Sequence, residues 1–214
     1  MWTPAWTSRT SAVTTESTPT KPSSARGRPR SESVGEAIRL AARQILASEG
    51  YDALTFEAVA ARAGVAKSTV YRRYPDRIAL VVDVGNSIAD LQLDRDTGSL
   101  RRDLIVALVH TSVVFDDGLT AAMLAAIVGQ MAHDPALAQA IRGTVMARRI
   151  AVMEQIFRRA IERGEVPADI DWWVHSQRLV GPLFMRALLT REPIGATLIE
   201  QLVDLELKSI GITG

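Results

Sequence analysis

Between Phe56 and Tyr74 the apolar positions fall into two short helical stripes separated by a glycine. Phe56, Val59, Ala60 and Ala63 recur three or four residues apart, the period of one buried helix face. Thr55 stands just before them, where a hydroxyl accepts a hydrogen bond from a first-turn amide. Gly64 follows, and a residue without Cβ turns the chain there at little steric cost. Val65 restarts the pattern, with Val70 and Tyr74 on the inner face of a second short helix. Its outward positions are Lys67, Ser68, Thr69, Tyr71, Arg72 and Arg73. Cations, hydroxyls and a phenol ring crowded onto so short a helix are groups that phosphates and base edges accept. The pattern predicts a helix–turn–helix unit whose second helix faces something acidic.

The same periodicity extends over most of the chain. A helix is expected over 34–49, with Ser33 and Glu36 as a capping box and Val34, Ile38, Ala42, Ile45 and Leu46 as its apolar stripe. Gly50 ends it. After short helices over 56–63 and 67–74, Asp76 caps a fourth with Ile78, Val81, Val84, Ile88 and Leu91 inward. Further helices are expected over 100–115, 119–131, 135–163, 172–190 and 195–210. Asp116-Asp117-Gly118, His133-Asp134-Pro135, Arg163-Gly164 and Glu192-Pro193 mark their boundaries. Nine helices and no alternating strand pattern make the expected fold all-α. Residues 1–25 are rich in Thr, Ser and Pro without period and read as a disordered tail. The organisation expected is a tail with a basic arm over 1–30, a helix–turn–helix domain over 31–78 and a helical body over 79–214.

Three runs carry a resemblance: Gly50-Tyr51 after the first helix, Thr-Phe-x-x-Val-Ala-x-x-Ala-Gly-Val over 55–65, and Lys-x-Thr-Val-Tyr-x-x-Tyr-Pro-x-Arg over 67–77. In order and spacing, from about Ser33 to Leu80, the segment resembles the DNA-binding domain of the TetR family of bacterial repressors. Tyr74 stands where that family more often has Phe, Arg77 where it more often has Lys, and Asp76 where Ser is usual. The resemblance implies that Ser68 and Arg72 look at base edges in the major groove, Arg72 being the natural guanine reader through its two-pronged fork. It implies that Lys67, Thr69 and Tyr71 hold phosphates and that Arg73 and Arg77 flank the DNA backbone. Thr55, at a helix N-terminus, either caps or also binds a phosphate. Arg26-Gly27-Arg28-Pro29-Arg30 reads as an extended basic arm that lies in the minor groove through residues such as Arg28, or as a solubilising leader. Tyr74 repeats the inner stripe and belongs to the core.

The resemblance gives the body two expected roles. Leu179-Val180-Gly181-Pro182-Leu183-Phe184-Met185-Arg186-Ala187-Leu188-Leu189 and the last helix look like the pair through which this family forms homodimers, with a bend at Gly181-Pro182. Gly181, Leu183, Ala187, Leu202 and Val203 suit that seam, or an intramolecular core. A cavity for a small apolar or amphipathic effector between the middle helices would explain Phe115, Met123, Met131, Met146, Met153 and Trp173, which otherwise read as plain core.

Composition narrows the choices further. Net charge is +1, but residues 1–80 hold 12 Lys+Arg against 7 Asp+Glu, net +5, and the remaining 134 hold 13 against 17, net −4. A basic head on a mildly acidic body fits a protein that touches double-stranded DNA with one end. With 22 arginines and three lysines, an arginine by itself signals nothing. No cysteine is present, so disulfides, thiolate catalysis and Cys-based zinc sites are excluded. No apolar run approaches the roughly 20 residues of a membrane span, and the first twenty residues lack a signal-peptide centre, so a cytoplasmic protein is expected. His110, His133 and His175 show no metal-ligand spacing, and no phosphate loop or nucleophile elbow is seen. The expected function is a homodimeric transcriptional repressor without cofactor or enzymatic activity. Its rivals are a helical ligand- or partner-binding protein without specific DNA recognition, and a helical enzyme built on the three histidines.

Overall fold

The computed structural model describes residues 28–89 and 96–212, and every regular element among them is helical. Four helices make the head: α1 (Arg28–Glu49), α2 (Phe56–Ala63), α3 (Lys67–Arg73) and α4 (Arg77–Ala89). In the body, α5 (Leu100–Asp116) and α6 (Gly118–Met131) meet at 89°. Helix α7 covers 135–162, with a π-helical turn at Arg142–Met146 between Pro135–Ile141 and Ala147–Glu162. Helix α8 covers 172–190, as Trp172–Met185 followed by a π-helical turn Arg186–Thr190, and α9 is Ala196–Ser209. No single described helix is long and apolar enough to cross a membrane.

Most boundaries follow from local chemistry. Gly50 (φ 84°) and Gly64 (φ 66°) take the left-handed conformation that closes α1 and α2. Asp76, Asp117, Asp134 and Asp171 accept from amides of the first turns of α4, α6, α7 and α8. The start of α1 corrects the sequence reading. The helix begins at Arg28, so Ser33 lies inside it and is not its N-cap. Pro29 falls in the first turn, where its fixed φ is already helical and its missing N–H leaves no bond unmade. The arm expected to be extended at Pro29 is therefore helical from Arg28 onward. Residues 1–27, Leu91 and the side chains of Arg28 and Arg30 lie outside the described residues. Pro182 sits within α8, and the π-helical turn follows four residues later.

Two apolar clusters fill the molecule. The first joins Ile38, Ala42, Ile45 and Leu46 of α1 to Phe56, Val59, Val70, Tyr74, Val81 and Val84, and continues into Met123 and Ile127 of α6 and Leu137 and Ile141 of α7. The core of the head thus extends past residue 78 into the body. The second packs α5, α7, α8 and α9 around Leu104, Leu108, Phe157, Leu179, Leu183 and Val203. Leu124 of α6 packs against both.

Polar ties reinforce these contacts. Tyr74, buried as expected, donates its hydroxyl to Asp83 Oδ2 of α4 at 2.6 Å, and Arg39 of α1 lies 3.6 Å from the same oxygen. Burial first, then this hydrogen bond, pushes the Tyr74 pKa up from 10.0 to about 12. A raised folded-state pKa gives stability that is complete below about pH 10 and lost as pH rises through about 12. Tyr74→Phe should lower stability at neutral pH by about 1–2 kcal/mol, because Asp83 loses a donor. It should also flatten the loss of stability between pH 10 and pH 12. Denaturant titrations at stepped pH measure both, and equal stability at pH 7 would remove this bond from the account.

Candidate nucleic-acid interface and body cavity

The geometry of α2, its turn and α3 is set from within. Thr55 Oγ1 accepts from Ala58 N at 3.1 Å, its cap role in the structure. Gly64 turns the chain, and Val65 N donates to Ala60 O at 3.0 Å. Val70 is the one buried residue of α3 and pins it to α2 and α1; Tyr74 then closes the helix. Pinned on one side only, α3 leaves Lys67, Ser68, Tyr71, Arg72 and Arg73 exposed and Thr69 half-buried.

These side chains are held to different degrees. The Tyr71 ring meets Phe56 edge-on at 5.0 Å, and its hydroxyl donates to Glu57 Oε1 at 3.0 Å. Lys67 Nζ lies 4.0 Å from the same oxygen. The Glu57 backbone amide first, then Tyr71 and Lys67, hold the Glu57 carboxyl below its ordinary pKa, while the bond to Glu57 raises that of Tyr71. Ser68 and Arg72 have no side-chain hydrogen bond or ion pair among the described residues. Arg73 is braced against α1: NH1 donates to Ser31 O at 3.2 Å, and a Cβ on Gly35 would fall 2.6 Å from NH2. The Arg77 guanidinium lies 4.9 Å above the Tyr51 ring. Lys67, Ser68, Thr69, Tyr71 and Arg72 therefore share one short helix, with Thr55 opening its neighbour, while Arg73 and Arg77 are engaged by the head itself. Arg62 of α2 pairs with Glu49 of α1 at 2.7 Å.

The body contains a cavity of about 440 Å³ between α5, α7 and α8. Met146, Met153 and Trp173 line it. The other residues expected there do not. Met123 is fully buried and Met131 half-buried in the cluster shared with the head, because α6 turns that face toward α1. Phe115 is buried in the second cluster with its ring 4.9 Å from that of Phe184, which puts Phe184, rather than Phe115, on the cavity wall. Arg149 also lines the cavity, and the sequence reading missed it. The signal was its register: three residues after Met146 and four before Met153, an arginine stands on an inward apolar stripe.

Of the five residues matched to the dimer seam, Gly181 is exposed and Leu202 half-buried, and the other three belong to the core. Leu183, Ala187 and Val203 are buried within the chain, because α8 and α9 pack that stripe onto α5 and α7. The large apolar side chains left outward on these helices are Trp173, Val174, Met185, Leu189 and Leu205, with Leu189 77% and Leu205 64% exposed. Of the histidines, His110 lies on α5, His133 in the turn after α6, and His175 on α8, where Nδ1 is bonded to Glu206 of α9.

Comparison with known proteins gives the same outline. A family model described as bacterial regulatory proteins, tetR family, matches residues 38–84. Another, tetracyclin repressor-like, C-terminal domain, matches residues 94–205. The HTH-type transcriptional regulator YdeS of Bacillus subtilis is 29% identical, spanning 89% of this chain and 96% of its own. The DNA-binding transcriptional repressor TetR of Mycobacteroides abscessus is 29% identical over 82% of this chain and 92% of its own. The crystal structure of the TetR family transcription regulator SCO0332 superposes with a TM-score of 0.66 at 31% identity, over 85% of this chain and 99% of that one.

The turn that aims α3 depends on one backbone conformation. A Cβ on Gly64 meets nothing within 4 Å, so Gly64→Ala should cost only the left-handed strain, about 1 kcal/mol of head stability. Thermal unfolding measures it, and a change below a few tenths of a kcal/mol would show that the turn does not need glycine.

Proposed function

The chain belongs to the TetR family of bacterial regulatory proteins, and from that premise we propose a homodimeric repressor that a small molecule releases from a two-fold operator. The protein is a DNA-binding transcriptional regulator; a helical binding protein indifferent to DNA sequence is the weaker account of the same residues. The observation that carries the reading is the outer face of α3, where Ser68 and Arg72 stand without partners among the described residues. In this reading they meet base edges, Arg72 as the fork for a guanine. Lys67, Thr69 and Tyr71 take phosphates beside them, joined by Thr55, and Arg73 and Arg77 border the DNA backbone. Phosphate replaces Glu57 as the partner of Lys67, and Tyr71 arrives already oriented by Phe56. The protein acts in the cytoplasm, where the chromosome lies, and does no chemistry on its ligand.

Two copies must present two α3 helices one helical turn of DNA apart, roughly 34–36 Å. The outward stripe of Val174, Met185 and Leu189 on α8 with Leu205 on α9 supports pairing of these two helices with their counterparts in a second chain. The π-helical turn of α7 supports the route of release. Val145 packs so tightly on Gly85 of α4 that a Cβ there would come within 2.8 Å of it, and the next residue, Met146, lines the cavity. Helix α4 starts at Arg77, four residues after the end of the recognition helix, so a ligand that displaces this turn re-aims the head.

Operator selected from a random DNA pool tests the first part. Arg72→Ala should cost about 1–3 kcal/mol and relax preference at one base pair of each half-site, whereas Lys67→Ala should weaken all sequences alike and reduce the salt slope by about 1. A double Tyr71→Ala, Arg72→Ala variant that stays folded and still binds operator with unchanged salt dependence would reject α3 as the reading helix. The seam has its own test. Leu189→Asp with Leu205→Asp should give a folded monomer by sedimentation, and an intact dimer would move the interface elsewhere.

A further inference from the structure

The wall of the body cavity is mostly hydrocarbon and aromatic, from Leu108, Val152, Met153, Trp173 and Phe184. Two hydroxyls in it are already used as donors within their own helices. Thr111 Oγ1 donates to Ala107 O at 2.9 Å and Ser176 Oγ to Trp172 O at 2.7 Å. Arg149 differs from both. It lines the cavity half-buried, with no hydrogen bond or ion pair among the described residues. Burial alone lowers its pKa from the ordinary arginine value, with no carboxylate offsetting it. Elsewhere in the body, half-buried Arg163 has Asp96, Asp103 and Glu165 around it, and exposed Arg101 has Asp204.

A guanidinium does not discard its proton under ordinary conditions, so Arg149 keeps a charge facing an apolar space. A neutral occupant would strip water from that charge and return nothing, and a cationic one would add repulsion. An anion at the same place restores the lost solvation through two parallel N–H···O bonds. The volume, about 440 Å³, falls in the ordinary range for small-molecule sites. We infer that the cavity takes a small molecule with an apolar body and one anionic group, typified by a carboxylate, and that Arg149 receives the anion. The inference rests on the reading of this cavity as the effector site and names the class of effector.

Three probes with one ten-carbon chain separate the terms: decanoate, decanol and decyltrimethylammonium, titrated calorimetrically into the full-length dimer below micelle formation. Decanoate should bind at least tenfold more tightly than decanol, and the cation should not bind measurably. Arg149→Met should bring decanoate down to the level of decanol while leaving decanol within twofold of its wild-type affinity. Arg149→Lys should keep part of the preference, and it carries the same comparison if the Met variant melts early. Equal binding of decanoate and decanol by the wild type, no binding of decanoate, or a preference that survives Arg149→Met would each overturn the inference. Operator release is read separately with the same probes. Decanoate held through Arg149 without loss of operator would support the site and sink the effector reading. Release by decanol and decanoate alike would sink the inference and leave the effector reading standing.

Discussion

Helix α1 lays its buried stripe against α6, and through that contact the head and the body have one continuous apolar core. Ile38, Ile45 and Leu46 belong to the same cluster as Met123, Ile127, Leu137 and Ile141. Each fully buried side chain of this size contributes about 1.5–3 kcal/mol, so several of them outweigh any ion pair along the same border. Arg43 orients the contact rather than holding it. Its NH2 bridges Asp117 at 2.5 Å and Thr120 at 2.6 Å, at the corner where α5 turns into α6. The Thr120 hydroxyl first, with the Leu119 amide and Arg43 behind it, keeps the Asp117 carboxyl below the ordinary range, so it remains an acceptor there. The direction in which α3 points is therefore fixed by α6 and by the first turns of α7, not by a flexible joint at residue 78.

That constraint gives the π-helical turn of α7 its weight. Upstream of it, Leu137 and Ile141 are head core; downstream of it, Met153 lines the cavity and Ile156 and Phe157 are body core. A π-helical turn is a wider, less favoured turn and a common place for a helix to adjust. Here Val145 touches α4 at Gly85 while its neighbour Met146 touches the cavity. For a ligand to shift a two-state head from 1:99 to 99:1 it must prefer one state by about 10⁴-fold, near 5.5 kcal/mol. Apolar contact with Met146, common to almost any occupant, spreads thinly over both states. A charge met in one arrangement of α7 and left bare in the other discriminates far more sharply, and Arg149 lies one turn beyond the π-helical segment.

The head was legible because its determinants are local. Thr55, Gly64, Val65 and the apolar stripes state cap, turn and buried face within ten residues of one another, and Asp117 and Asp134 marked the starts of α6 and α7. Where reading failed, the missing information was tertiary. Periodicity tells which face of a helix is buried, but not against what, so Met123 and Met131 looked like cavity residues although α6 gives them to the head. The same ambiguity placed Leu183, Ala187 and Val203 in a seam, when burial within the chain leaves Met185, Leu189 and Leu205 outward instead. The start of α1 was missed because Pro29 is as compatible with a first helical turn as with an extended arm. Arg149 was hidden by abundance: among 22 arginines only its position on an apolar stripe sets it apart.

Glu57 is the residue of the recognition surface that sequence reasoning had no use for, since an acid beside a DNA-facing helix opposes binding on charge alone. Its geometry supplies the use. The carboxylate accepts from Tyr71 and stands by Lys67, so two of the proposed phosphate partners are ordered before DNA arrives. Ordering long side chains on binding costs affinity, and a surface that has done so in advance loses less. The pair is exposed and therefore weak, which lets a phosphate displace the carboxylate from Lys67 without a large penalty. Tyr71 keeps its ring contact with Phe56 whatever Glu57 does, so the phenol stays in place as the exchange occurs. Ser68 and Arg72 have no such holder, which fits the roles proposed for them: a phosphate is the same on every sequence, whereas a base reader has to choose.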